Sequence, residues 1–578
     1  MSKINASDAM LKVIEAWGVK NIYGLPGGSF DSTMNAIYNR RDTLNYVQVR
    51  HEEVGALAAV GEAKVTGKIG VTFGSAGPGA VHLLNGLYDA QYDHVPVLAL
   101  IGQVPTFNMN THFFQELNEN PMFEDVSVYN RTAMTAEQLP AMVDEAIREA
   151  YAKKGVAVIT IPKDLGWTEI EDNYVSTAKW FQTPMPIQPN PESIEKAWDI
   201  LKNAKHPLIY IGQGSRGARE ELLTLAHMIK APIMSSALGK GIVPDNAPEY
   251  MGASGRVATK PGVEAAQNTD AVLFLGSDMP FQGFFIPKDA KYIQVDIDGA
   301  KFGRRHSVDL AIQADAKATV EALIEIGEDL PETPWYRANL KNKANWMEWL
   351  NKRADIDSSP LAVEAVFKEI NAMATDDAIF QTDVGNVTID AFCLLDMSKN
   401  QQFSTSGWYA TMGYGLPASI GAKAYYPDRQ VWSISGDGGW AMVFPDVLTQ
   451  VKYNQHVINV VLTNKSLGFI EAEQDDTKQP HSGVDLIGAD FGAAASALGA
   501  TGFDVDNVKD LKEAFQKAQE VDGPVVINAN IANDRPLPVE QLKLDPAVAG
   551  EEAVKAFTET YQTDGLIPLT HFLKDEEN

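Results

Sequence analysis

Residues 435–440 read Ser-Gly-Asp-Gly-Gly-Trp and follow the apolar run Gln430-Val431-Trp432-Ser433-Ile434. A lone acid between glycines at the end of a buried strand needs an explanation. A second strand-like run, VINVVLTNKS at 457–466, carries Asn464, 27 positions after Asp437. Between them Phe444, Val447, Leu448 and Val451 recur at helical spacing. The stretch therefore reads as strand, glycine-rich turn, helix, strand. Adjacent parallel strands would bring Asp437 and Asn464 to one carboxyl edge, where open α/β sheets bind ligands. Asp437 offers a hard anionic oxygen and Asn464 a neutral amide oxygen. Gly436, Gly438 and Gly439 let backbone approach a ligand closely. The helix N-terminus suits a phosphate, and oxygen ligands beside phosphate suit Mg²⁺. A tight turn with a capping Asp is the other use of Gly-Asp-Gly; the Asn at this interval favours the metal.

The chain has 578 residues, enough for three or four cores. It carries 76 acidic against 48 basic side chains, a net charge of −28, which argues against nucleic acid and anionic membranes as partners. A single cysteine, Cys393, excludes an internal disulfide and fits a reducing compartment. The first twenty residues have no signal-peptide core, and no apolar run reaches a membrane span. The expected location is cytoplasmic.

Three regions alternate strands and helices, which predicts an α/β protein of three doubly wound parallel-sheet domains. Their expected limits are 1–183, 190–336 and 355–545, with a patternless tail at 546–578. The stretch at 181–193 reads as a linker, and a charged, Trp-rich helix near 335–355 joins the second and third domains. The layout of residues 68–90 resembles that of 429–450, so the first and third domains are expected to be related.

Gly436-Asp437-Gly438 followed by Asn464 resembles the signature of the thiamine diphosphate enzymes, although Lys465 replaces their second Asn. The resemblance implies Mg²⁺ on Asp437, Asn464 and the carbonyl of Ser466. It assigns Glu52, in the segment VRHEEVGALAAVGEAK, to the acid that activates the aminopyrimidine of the cofactor. As an isolated residue, Glu52 would be a first-turn acid favoured by the helix dipole. The segment YATMGYGLPASIGAK resembles the one that supports the bent cofactor in this family, which implies that role for Met412. Gly385 and Asn386, in FQTDVGN, belong to its other binding loop.

Within this superfamily the chain most resembles the pyruvate oxidases. Phe114-Gln115-Glu116, in the loop NTHFFQELNENP, matches a Phe-Gln-Glu of pyruvate oxidases that acetohydroxyacid synthases also carry, which implies a catalytic place for Phe114 and Gln115; Phe469 and Glu473, in GFIEAEQDD, match the substrate-facing positions of pyruvate oxidases. The middle region contains Gly212-x-Gly214-x-x-Gly217 after a strand, a weak dinucleotide motif without a clear acidic partner. The resemblance places FAD there, against Gly212, Gly214, Ser236, Arg256, Gly276, Ser277, Asp296 and Asp315. The implied reaction is oxidative decarboxylation of pyruvate with phosphate and O₂, giving acetyl phosphate, CO₂ and H₂O₂. The implied assembly is a homotetramer with sites between subunits. An acetohydroxyacid synthase-type carboligase or another FAD-containing 2-oxo acid decarboxylase is the alternative. A catalytically silent acidic binding protein is a further one, against which the joint presence of Glu52 and Asp437 weighs.

Overall fold

The computed structural model describes residues 2–578 except 182–184, 254, 256–257, 535, 537–545, 547–549 and 562. Three six-stranded sheets dominate, and every pairing within them is parallel. The first comprises Asn21–Gly24, Asn45–Gln48, Gly70–Gly74, Val97–Gln103, Ser127–Thr132 and Val156–Pro162. Numbered within the domain, these strands lie in the order 2-1-3-4-6-5. The third sheet, Ile379–Thr382, Gln402–Ser404, Val431–Gly436, Val457–Thr463, Thr501–Val505 and Val525–Asn530, has the same order. The expected kinship of the first and third domains is thus visible in their topology.

The middle sheet differs. Its strands are Pro207–Ile211, Ile233–Ser235, Tyr250–Ala253, Ala271–Leu275, Lys291–Asp296 and Leu310–Gln313, in the order 3-2-1-4-5-6. That is the order of dinucleotide-binding domains, in which ligands lie where the chain reverses direction, between strands 1 and 4. The central strands are buried along their whole length because helices cover both faces. This is why they appear in the sequence as continuous apolar runs.

Helix Glu52–Thr66 of the first domain packs on helix Gly415–Tyr425 of the third. Small residues allow the approach: a Cβ on Gly61 would overlap Ala418, and one on Gly421 would overlap the carbonyl of Ala58. Glu62, buried here, accepts hydrogen bonds from Tyr23 and Asn21 and is pushed up to about 7 by burial. Gly421→Ala is expected to cost about 1–3 kcal/mol by overpacking. A thermal-melt midpoint equal to the wild-type value would refute this tight packing.

Three expectations need correction. No glycine-rich turn separates strand and helix at the opening motif; the helix starts at Asp437 itself and runs to Val443. The downstream helix is broken into a 3₁₀ turn, Phe444–Asp446, and a short helix, Val447–Lys452, where Pro445 cannot continue the α-helical ladder. The tail contains helices Glu551–Tyr561 and Leu569–Glu577, and the second docks on helix Pro334–Ala354 through Glu576 with Arg337 and Lys341. Lys260 fixes the same region: its fully buried Nζ donates to Glu264, Asn342 and the Ile567 carbonyl.

Candidate functional site

Strands Val431–Gly436 and Val457–Thr463 are neighbours, with Gly436 opposite Leu462. Asp437 and Asn464 therefore leave the sheet at the same edge. The Asp437 carboxylate, 5% exposed, accepts the amides of Lys465 at 2.8 Å and Gly438 at 3.0 Å. Burial holds this carboxyl above its ordinary pKa, an environment that a divalent cation would relieve. The Asn464 Oδ1 atom accepts the Ser466 amide at 3.2 Å, which keeps the side chain beside the Ser466 backbone. A carboxylate, an amide oxygen and a backbone carbonyl fit Mg²⁺, which needs few protein ligands.

The loop after strand Ile379–Thr382 meets this edge. Gly385 has φ +134°, a conformation that favours glycine, and Asn386 starts helix Asn386–Leu394. The Met412 methyl group packs above Gly438, where an added Cβ would lie 3.2 Å from it. Asp383, which the motif reading passed over, organises all three loops. Its Oδ1 accepts the amides of Val384, Gly413 and Tyr414, and its carboxylate fills the space beside Gly439. Complete burial pushes Asp383 up to about 6.

In the middle domain, Gly214 and Gly276 touch backbone to backbone at the ends of strands 1 and 4. A Cβ on Gly214 would lie 2.7 Å from the Gly276 Cα, and one on Gly212 would overlap Ser277. Gly276 has φ +55°. Side chains are thus excluded at the switch point, as a dinucleotide site requires. Asp296 ends strand 5, buried and held above the usual carboxyl range by desolvation. Asp315 caps helix Ala316–Ile326 through the Ala318 amide at 3.0 Å, and Ser236 precedes the turn Ala237–Gly239. Lys301, Arg304 and Arg305 add a basic rim in an otherwise acidic protein, with Asp278 accepting from both arginines. The sequence signal for it was the run KFGRR. Arg256 lies outside the described residues.

A single continuous cavity of about 1300 Å³ joins the two ends. It is lined by Gly214, Ser236, Gly276, Ser277, Asp296 and Asp315 from the middle domain. From the third domain come Gly385, Asn386, Met412 and 436–439, with Asn464, Ser466 and Phe469. Glu52, Phe114, Gln115, Glu473 and Gly212 do not line it. Glu473 sits on helix Gly468–Asp476, which has no buried residue.

Glu52 instead forms a second cluster on the first domain. It begins its helix, is 7% exposed, and its Oε2 lies 2.9 Å from the His82 Nδ1 atom. His51 stacks on His82 with ring centres 4.3 Å apart. A Cβ on Gly79 would sit 3.0 Å from the Glu52 Oε1 atom, and one on Gly77 would sit 2.9 Å from the Gln115 carbonyl. The Phe114–Gln115 loop thus borders the Glu52 cluster, with Phe114 77% exposed and Gln115 at φ +64°. Glu119, also passed over, is buried beside Gln103 and pushed up to about 8 by desolvation. Arg50, two residues before Glu52, donates its amide to Asp446 in the 3₁₀ turn that follows the Asp437 helix.

Comparison with known proteins agrees with this architecture. Residues 4–122 match the N-terminal thiamine pyrophosphate-binding domain of thiamine pyrophosphate enzymes, 194–323 their central domain and 383–529 their C-terminal thiamine pyrophosphate-binding domain. The chain is 46% identical to a pyruvate oxidase of Lactiplantibacillus plantarum over 583 aligned positions, covering 99% of this chain and 96% of that protein. It is 39% identical to the putative thiamine pyrophosphate-containing protein YdaP of Bacillus subtilis, over 93% of each chain. It is 30% identical to a probable acetolactate synthase large subunit of Methanococcus aeolicus, over 91% of this chain and 92% of that one. Three matched domains and this degree of identity along the whole chain make it a member of the thiamine pyrophosphate enzymes, in the group that contains pyruvate oxidase.

Proposed function

We propose that this enzyme oxidatively decarboxylates pyruvate in the presence of phosphate and O₂, releasing acetyl phosphate, CO₂ and H₂O₂, with thiamine diphosphate, Mg²⁺ and FAD as cofactors. The observation that carries the reading is the continuous cavity between the Asp437–Asn464 edge and the Gly214–Gly276 switch point. Both ends open into the same cavity, so an electron donor at one end and an acceptor at the other would share one space. Thiamine diphosphate supplies a nucleophilic carbon with an electron sink, and FAD accepts two electrons.

The protein's own contribution is positioning and charge. Asp437, Asn464 and the Ser466 carbonyl would hold the metal, and the amides opening helix Asp437–Val443 would face the diphosphate. Met412, resting on Gly438, would set the bend of the cofactor. Gly214, Gly276 and Ser277 would face the dinucleotide diphosphate, with Gly212 packed against Ser277 to support them, Ser236, Asp296 and Asp315 nearby and Lys301, Arg304 and Arg305 lending positive charge. Glu52 would hold a proton at the aminopyrimidine, and Phe114, Gln115, Phe469 and Glu473 would bound the substrate.

Because Glu52 stands apart from the cavity of its own chain, the reading requires a second subunit to bring its Glu52 cluster to the Asp437 edge. We therefore infer a dimer as the smallest active unit and a homotetramer as the assembly. A fully active monomer in sedimentation at assay concentration would contradict it. A cytoplasmic location belongs to the same reading; among the described residues no helix is long and apolar enough to cross a membrane.

The deciding assay supplies purified holoenzyme with pyruvate. Without O₂ the flavin band near roughly 450 nm should bleach, a property of the cofactor. Readmitted O₂ should restore it with one H₂O₂ per pyruvate, and phosphate should divert acetate into acetyl phosphate. Acetolactate formed with the flavin still oxidised would establish the carboligase alternative instead.

A further inference from the structure

One wall of the cavity is the segment 405–412, through Thr405, Ser406, Gly407, Trp408, Ala410 and Met412. It belongs to the third domain but is anchored on a buried charge cluster of the first. Asp93, fully buried, accepts the Gly407 amide on Oδ2 at 3.0 Å and the Trp408 amide on Oδ1 at 2.9 Å. The Nζ of Lys64 donates to Asp93 at 2.7 Å, to Asp89 at 2.8 Å and to the Thr405 carbonyl at 2.8 Å. Asn85 donates to the Thr411 hydroxyl at 2.8 Å, and the Thr411 amide donates to Ser406 Oγ at 2.9 Å. Ala410 is held at φ +58°, a conformation an alanine does not choose for itself. At the far side of the wall the Trp408 ring lies 5.8 Å from the Arg305 guanidinium of the middle domain.

A lysine buried between two carboxylates is a weak source of stability, since desolvation offsets the attraction. What the cluster does supply is a fixed set of acceptors for two adjacent amides. Those amides precede Met412 by five and four residues, and the far end of the segment is fixed by Asp383 through Gly413 and Tyr414. The segment is therefore clamped at both ends, by different domains.

We propose that Asp93 is a positioning residue of the active site: with Lys64 and Asp89 it holds the segment 405–412 in the shape that forms the cavity wall between the two cofactor-binding ends. The role rests on the cavity being the site of FAD and thiamine diphosphate. Asp93→Asn preserves volume but cannot accept from both amides and from Lys64 at once. Asp144→Asn serves as the control, because Asp144 is an equally buried acid of the first domain that accepts from Trp17, Ser176 and Thr177.

The test uses the full-length chain. Amide hydrogen exchange is first followed without added cofactor. Peptides covering 405–412 should exchange at least about tenfold faster in Asp93→Asn, the effect of losing one hydrogen bond to a charged group. Peptides from 415–425 should be unchanged, and Asp144→Asn should leave 405–412 at the wild-type rate. FAD titration should then show weaker binding, by about tenfold on the same argument, and an altered visible circular dichroism of the bound flavin. Ser406→Ala, a milder change within the segment, should shift both readouts in the same direction should Asp93→Asn fail to fold. Wild-type exchange at 405–412 would overturn the proposal. So would faster exchange with unaltered flavin affinity and dichroism, which makes Asp93 an anchor only. Wild-type protein that takes up no FAD defeats the oxidase reading and the role with it, a result distinct from either.

Discussion

Glu52→Gln should slow pyruvate turnover by about 10²–10⁴-fold, the usual contribution of a positioned general acid or base. The substitution keeps the shape of the side chain and removes its charge. Oε2 of Glu52 is held by the His82 ring at 2.9 Å, and Oε1 lies over Gly79, where only a glycine leaves room for it. Gln can occupy that space, so thiamine diphosphate affinity should change only a few-fold, as followed by titration of the apoenzyme. It cannot stabilise a protonated aminopyrimidine nitrogen, so proton exchange at the reactive carbon of the cofactor should fall with turnover. Wild-type exchange in Glu52→Gln would remove Glu52 from this role, whatever happened to the overall rate. His82→Ala should produce a smaller loss in the same direction, since it removes the partner and leaves the carboxylate.

The features legible in the sequence are those set by local pattern. Doubly wound parallel sheets bury whole strands, so VWSIS and VINVVLT appear as apolar runs ending in glycine or asparagine. The length of one strand–helix–strand unit is nearly constant, so the interval from Asp437 to Asn464 predicted their shared edge, and the two strands are neighbours. Pro445 is visible as well, yet the spacing of Phe444, Val447, Leu448 and Val451 favours one helix across it. Features that depend on contacts distant in sequence were not legible. Asp383 matters because it binds the amides of Gly413 and Tyr414, 30 and 31 residues away, and nothing local in FQTDVGN marks that. Asp93 joins Gly407 across more than three hundred residues. The docking of the last helix depends on Leu569 and Leu573 reaching the core around Trp335 and Ala338, with Glu576 meeting Arg337 and Lys341, contacts that nothing local in the acidic tail marks. Glu473 and the Phe114–Gln115 loop illustrate a different limit: they carry the motifs of related enzymes, yet one chain does not bring them into its cavity.

Asp437→Ala should abolish Mg²⁺-dependent retention of thiamine diphosphate. The proposed metal has only three protein ligands, and Asp437 is the one that carries charge. A cation among diphosphate oxygens depends on that carboxylate more than on a neutral amide such as Asn464. The expected loss of cofactor affinity is at least about 100-fold, or roughly 2.7 kcal/mol. Two measurements separate this from general loosening of the edge, because Asp437 also accepts the Lys465 and Gly438 amides. First, a chelator should strip the wild-type protein of activity, and added Mg²⁺ should restore it; Asp437→Ala should not respond to Mg²⁺ at any concentration. Second, Asp437→Asn keeps an acceptor for the Lys465 amide and gives up only the bond to the adjacent Gly438 amide, so its melting midpoint should fall less than that of Asp437→Ala while it still loses most of its affinity for the cofactor. FAD affinity should be nearly unaffected in both variants, because the Gly214–Gly276 switch point lies in another domain and shares only the cavity. Cofactor retention in Asp437→Asn equal to wild type would mean that the carboxylate serves the turn and not a metal, and the assignment of this edge as the diphosphate end of the site would fall with it.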